Sequence, residues 1–458
     1  MMTTIRDDHT IIAQCTPQGS GAIALIRVSG PQAVQMTDVV ARLHSKKKLQ
    51  DLETHTIHYG EIVENNLIID TVLFLLMKAP RTFTGEDVVE ITCHNNQLIV
   101  YKIIRAFLHQ GARVAEKGEF AKRAVMNDKL DLVQAEAIHD IITATSDDAL
   151  KKSLSMLQGS FSSLISEIEE KVLHVIVYAE ASFEFLDEEM DFSDEIRKRC
   201  DHILSLVGEA LQTFDKRRQL YEGIRVALIG KTNVGKSSLF NALINRERAI
   251  VTDVAGTTRD TVEALFFHND LQLTFIDTAG IRKTKNFIEQ KGIDRSFDEA
   301  AQADIILLVV DNQAEYTEEE IQQHVDLLQK YEDKVVIVQN KIDASSEHVS
   351  FLPGKVAIKV SALHKQNIKD VYLALQEKAK AVIGQDNTPF VLNKRQYDLL
   401  LQFHHYINSF MKQSKRAFDY ELLSFHLKES LELLSEVSGK TITEKAFDKI
   451  FQSFCVGK

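Results

Sequence analysis

Gly230-Lys231-Thr232-Asn233-Val234-Gly235-Lys236-Ser237 fits the pattern G-x-x-x-x-G-K-[ST]. The apolar run RVALI precedes it and the helix-like run SSLFNALI follows. A strand, a glycine-rich turn and a helix in that order make a loop whose backbone N–H groups turn toward phosphate oxygens. The helix N-terminus adds a dipole that favours anions. Lys236 is placed to reach the β- and γ-phosphates of a nucleotide, and the Ser237 hydroxyl to bind Mg²⁺. The competing reading is a plain glycine-rich turn between a strand and a helix.

Working outward, three more motifs fall in a fixed order, each after an apolar run. Asp277-Thr278-Ala279-Gly280 follows LTFI, where the Asp suits the hydration shell of Mg²⁺ and Gly280 offers an N–H to a γ-phosphate. Asn340-Lys341-Ile342-Asp343 follows VVIVQ, at the strand end where ligands of open α/β sheets bind. Its Asp343 suits guanine, whose N1 and N2 donate two hydrogen bonds. Adenine would leave that carboxylate unpaired, and such sites discriminate strongly. Ser361-Ala362-Leu363 follows a fourth strand and supports the base from behind. Between the phosphate loop and the second motif, Gly256-Thr257-Thr258-Arg259-Asp260 places Thr258 as a switch threonine, a ligand of Mg²⁺ when the γ-phosphate is present. A plain polar loop is the alternative for that stretch.

The residue after Asp277-Thr278-Ala279-Gly280 is Ile281, where many small GTPases carry a water-orienting glutamine. Something else must align the water. Asn233, inside the phosphate loop, offers a side-chain oxygen to a monovalent cation beside the phosphates, which would do the electrostatic work of an arginine finger. Glu289 is the second candidate, although its spacing alone reads as an exposed helix carboxylate.

The chain has 458 residues, room for about three domains. Residues 222–384 alternate strands and helices, which predicts a mostly parallel sheet with helices on both faces; with the nucleotide motifs that it carries, a Ras-like P-loop GTPase domain is expected. Residues 126–221 and 385–458 read as helical, with apolar positions at three- and four-residue intervals. A helical domain interrupted by an inserted α/β domain is favoured over two unrelated helical pieces, since insertion succeeds where chain ends lie close. Residues 1–125 mix strand and helix signals and predict an α+β domain. There the runs LIIDTVLFLLM and, further on, DIILLVV are too short to span a bilayer and read as buried strands.

Lys plus Arg number 54 and Asp plus Glu 66, a formal charge of −12, which argues against a general nucleic-acid clamp. Four widely spaced cysteines, Cys15, Cys93, Cys200 and Cys455, show no metal-ligand spacing and suit a reducing compartment. The opening MMTTIRDDHT has no apolar core for a signal sequence. The expected location is the cytoplasm, with no membrane partner.

Several runs resemble the tRNA-modification GTPase family known as MnmE or TrmE: CTPQGSG (from Cys15), IRVSG (from Ile26), FTGEDVVE (from Phe83), GEFAKRAVMNDKLDLVQAEAI (from Gly118), the nucleotide motifs and the tail Cys455-Val456-Gly457-Lys458. The departures are Cys15 for the usual small residue and Val456 for the commoner Ile. The resemblance covers essentially the whole chain. It implies an N-terminal folate-binding and dimerising domain, a discontinuous helical domain, and an inserted GTPase domain.

The resemblance also implies site residues. GTP contacts fall on Asn233, Val234, Gly235, Lys236, Ser237, Ser238, Thr252, Asp253, Val254, Ala255, Gly256, Thr257, Thr258, Asp277, Thr278, Ala279, Gly280, Asn340, Lys341, Asp343, Ser361, Ala362 and Leu363. Ser237 and Thr258 would ligate Mg²⁺, and Asn233, Thr252, Val254 and Thr257 would ligate K⁺. Glu289 matches the family's catalytic glutamate. A reduced folate of the 5-formyltetrahydrofolate type maps to Arg27, Glu90, Lys129 and Lys458. The implied activity is potassium-stimulated GTP hydrolysis by a homodimer. With the flavin-dependent MnmG, in a heterotetramer, it serves addition of an aminomethyl-type group at C5 of the wobble uridine of certain tRNAs. The alternative is a ribosome-assembly GTPase switch that binds RNA.

Overall fold

The computed structural model describes residues 9–19, 21–184, 193–244, 264–268, 271–276, 300–311, 313–344, 356–384, 388–413, 420–454 and 456–457. They divide into two compact units. One comprises residues 1–139, 155–211 and 394–458, the other residues 140–154 and 212–393.

The first unit contains a seven-stranded sheet. Its strands are β1 (Ile11–Gln14), β2 (Ile23–Ser29), β3 (Ala41–Leu43), β4 (Thr56–Glu64), β5 (Leu67–Met77), β6 (Val88–His94) and β7 (Arg113–Val114), in the order β3-β4-β5-β6-β2-β1-β7. All neighbours are antiparallel except β1 and β7. The two-residue period decides which side chains go in. Val72, Phe74 and Leu76 of β5 are buried with Ile26, Ile91 and Phe107. Helices Ala33–Val40 and Gln97–His109 supply the other half of that core. Asn96 caps the second helix by accepting the Leu98 N–H at 2.9 Å, satisfying a donor that no helical carbonyl can reach. The apolar run of β5 is therefore a strand buried on one face, not on both. Leu67 and Leu73, with the opposite parity, are exposed.

The same unit holds helices Ser160–Glu184, Ser193–Gln212, Lys394–Gln413, Tyr420–Ser438 and Glu444–Phe451. Helical segments from both sides of the α/β block thus belong to one body. Lys440 reaches Glu169 at 2.7 Å and Lys428 reaches Glu180 at 2.9 Å across that gap in sequence. Arg395 grips Glu136 with two bonds of 2.8 Å.

In the second unit β8 (Ile224–Ile229), β9 (Ala264–His268), β10 (Leu271–Ile276), β11 (Ile305–Asp311), β12 (Val335–Asn340) and β13 (Ile358–Lys359) form one sheet, ordered β13-β12-β11-β8-β10-β9. Only the β9–β10 pair is antiparallel. Both faces are covered, so the central strands are apolar throughout rather than alternating: every residue of β11 is buried. Leu307, Val309 and Val338 pack on one face with Leu239, Leu243 and Leu375. Ile306, Leu308 and Ile337 pack on the other with Leu327. The multidomain α/β and α architecture expected from the sequence is the one found. Among the described residues no helix is long and apolar enough to cross a membrane.

Candidate functional site

β8 ends at Ile229, and the chain turns sharply at Gly230, whose φ is +154°. A Cβ there would lie 2.2 Å from the carbonyl oxygen of Val309, so only glycine lets the loop pass over β11. The turn ends at Gly235, φ +94°, where a Cβ would lie 2.2 Å from Asn340 Nδ2. Between them Val234 is buried and anchors the loop, while Asn233, at φ +65°, is exposed. The helix Lys236–Ile244 begins immediately. Lys236 Nζ folds back to donate to the carbonyls of Gly230 (2.5 Å) and Lys231 (3.0 Å). The cation thus closes over the cradle that a phosphate chain would fill. Ser237 is half-buried and Ser238 exposed at the same helix start.

Asn340, the last residue of β12, is almost fully buried. Its Nδ2 donates to the Val234 carbonyl at 2.9 Å, and its Oδ1 accepts the Ala362 N–H at 3.0 Å. One amide thereby holds the phosphate loop and the Ser361-Ala362-Leu363 loop together. Ser361 is buried, Ala362 nearly so, and Leu363 exposed. A hydrogen bond from Ser361, more than the nearby Lys341 cation, holds the Asp343 carboxyl below its ordinary range. Asp343 therefore stays an ionised acceptor, which is what pairing with two guanine N–H groups requires. Lys341, at φ +63°, pairs with Asp311 at 2.7 Å. Asp311 is a contributor that the motifs do not name. Its sequence signal is a lone carboxylate ending the apolar strand β11.

The donor set and the two glycine approaches fit a guanine nucleotide. Thr252, Asp253, Val254, Ala255, Gly256, Thr257 and Thr258, with Asp277, Thr278, Ala279, Gly280 and Glu289, lie outside the described residues.

A second cluster sits in the first unit. Arg27 and Glu90 are directly opposite on β2 and β6. Arg27 Nε donates to Glu90 Oε1 at 2.8 Å, and a second guanidinium nitrogen lies 2.7 Å from the same oxygen. The Arg27 guanidinium also lies 5.4 Å from the ring centres of both Phe83 and Phe120. Two of the charges that the resemblance assigns to a folate are thus paired with each other. Lys129 is exposed, and its Cε lies 3.0 Å from where a Cβ on Gly85 would be. Val456 bridges Lys117, and Cys15 Sγ donates to the Gly457 carbonyl at 3.2 Å, which fixes the chain just before Lys458. Lys458 and Cys455 lie outside the described residues. Phe120 is fully buried, so its ring backs the Arg27–Glu90 pair from the core side.

The doubly covered sheet, the phosphate loop after β8 and the base-reading loop after β12 define a Ras-like P-loop GTPase. The sequence profile described as the MnmE helical domain matches residues 132–455, and the one described as the GTP-binding protein TrmE N-terminus matches residues 10–129. The protein named tRNA modification GTPase MnmE from Geobacillus kaustophilus (strain HTA426) is 37% identical over 465 residues, covering 98% of this chain and 99% of that relative. The proteins of the same name from Bacillus mycoides (strain KBAB4) and Bacillus subtilis (strain 168) are 36% and 35% identical over 462 residues. Each alignment covers 98% of this chain, with 99% and 100% of the respective relative. The chain belongs to the MnmE family.

Proposed function

We propose that this chain hydrolyses GTP in a potassium-stimulated reaction that serves tRNA modification. In this reading it is a cytoplasmic homodimer. With the flavin-dependent MnmG it adds an aminomethyl-type group at C5 of the wobble uridine of certain tRNAs. The observation that carries the nucleotide half is the Asn340 amide, which joins the phosphate loop to the loop of Asp343. The tRNA half is supported by family membership and by the shared name of the relatives.

In this mechanism Asp343 accepts the N1 and N2 protons of guanine, and Leu363 flanks the base. Lys236 exchanges its bonds to the Gly230 and Lys231 carbonyls for phosphate oxygens. Ser237 and Thr258 would hold Mg²⁺, whose charge would offset that developing on the phosphates. Asn233, with Thr252, Val254 and Thr257, would hold K⁺, which would supply the positive charge that an arginine finger provides elsewhere. Glu289 orients the attacking water in place of the glutamine that Ile281 cannot supply. Arg27, Glu90, Lys129 and Lys458 would hold a reduced folate, which would supply the one-carbon unit.

Mass spectrometry of wobble uridines in cells lacking this chain tests the proposal. Loss of the C5 modification is expected. Unchanged uridines would remove the tRNA reading and leave a ribosome-assembly switch.

A further inference from the structure

Lys231, the second residue of the phosphate loop, sends its side chain away from the cradle. Its Nζ donates to the Glu315 carbonyl at 2.7 Å and to Glu320 Oε2 at 2.9 Å, and lies 5.6 Å from the centre of the Tyr316 ring. Glu320 is itself fixed. Its Oε2 accepts the Thr317 N–H at 2.9 Å, and Thr317 Oγ1 accepts the Glu320 N–H at 3.2 Å, a reciprocal cap on the helix Glu318–Lys330. The lysine therefore grips a rigid post rather than a swinging side chain.

From Tyr316 the contacts run on. Its hydroxyl accepts the Asp311 N–H at 3.0 Å. The Asp311 carboxylate, 5% exposed, holds Lys341 Nζ at 2.7 Å and accepts the Gln313 N–H at 2.9 Å. Lys341 stands between Asn340 and Asp343 in a left-handed backbone conformation. Lys341 thus has its backbone in a conformation that is uncommon for a non-glycine residue and its amine held by a buried carboxylate, two residues before Asp343.

We propose that Lys231, Tyr316 and Asp311 are positioning residues that tie the phosphate loop to the guanine-reading turn, so that phosphate grip and base choice are coupled. The proposal rests on the nucleotide-site reading above and adds this coupling to it. It differs from a local role for Lys231. As a local pin, the Lys231–Glu320 pair, about 30% exposed at each end, would steady the phosphate loop alone. As part of a tie, its loss also loosens the turn carrying Asp343.

The test is titration of the full chain with fluorescent GDP and with fluorescent inosine diphosphate, which lacks the 2-amino group that Asp343 would accept. The variants are Lys231→Met, Lys231→Arg, Tyr316→Phe and the Lys231→Met/Tyr316→Phe double. The expected result is a GDP preference in the parent that falls by about threefold or more in Lys231→Met and in Tyr316→Phe. The double should lose less than the product of the singles, because contacts in one network are not additive. Lys231→Arg, which keeps the ion pair, should restore the preference. Equal weakening of both nucleotides by Lys231→Met, with the preference intact, would overturn the tie. So would a double equal to the product. Failure of the parent chain to bind either nucleotide would overturn the site itself, a separable result. Tyr316→Phe removes one hydroxyl and keeps the test standing if Lys231→Met does not fold.

Discussion

The Asn340 side chain donates to the Val234 carbonyl at 2.9 Å, so a residue of the base-reading loop holds the middle of the phosphate loop. The same amide accepts the Ala362 N–H. Replacing it by alanine leaves a buried carbonyl and a buried N–H without their partner. Asn340→Ala is expected to cost about 2 kcal/mol of stability, from the penalty of unsatisfied buried groups. It should also weaken GDP binding at least about tenfold. Thermal melts and nucleotide titration measure the two effects.

Gly235 leaves no room for a side chain. Its φ of +94° is strained for any L-residue, and a Cβ would meet Asn340 Nδ2 at 2.2 Å. Gly235→Ala is expected to destabilise the second unit by about 2 kcal/mol and to abolish nucleotide binding. A variant that binds GDP like the parent would show that the loop has another conformation.

Asp343 is held ionised, first by the Ser361 hydrogen bond. A carboxyl whose folded value is depressed keeps its contribution above its ordinary range and loses it only as pH falls through the lowered value. Guanine affinity should therefore stay flat from neutral pH down to about pH 4, the ordinary Asp value, apart from general acid unfolding. Ser361→Ala should bring the loss to higher pH. Asp343→Asn should shift preference from guanine to xanthine nucleotides, because an amide donates to the O2 that replaces the 2-amino group.

Arg27 and Glu90 form a largely buried pair flanked by Phe83 and Phe120. Arg27→Met strands the Glu90 carboxylate and is expected to cost roughly 3 kcal/mol and to remove folate binding. Arg27→Met/Glu90→Gln should recover much of the stability but none of the folate binding. Melting curves and folate fluorescence titration separate the two.

The phosphate loop, the order of the nucleotide motifs and the strands that carry them are local patterns, and they read directly. What the sequence hides is pairing across distance. Arg27 and Glu90 are 63 positions apart, Lys231 and Glu320 are 89, and Val234 and Asn340 are 106. Nothing in either member of such a pair marks the other. The β5 run shows a different limit. Its apolar residues look uniformly buried, but the two-residue period leaves Leu67 and Leu73 outside.

The most direct measurement is steady-state phosphate release by the full chain from GTP and from ATP, in potassium chloride and in sodium chloride of equal ionic strength. The account predicts release from GTP but not ATP, much faster in potassium, with the potassium advantage lost in Asn233→Ala. Equal rates in the two salts would contradict the cation mechanism. Equal turnover of ATP would contradict the assignment of Asp343, and with it the reading of the site.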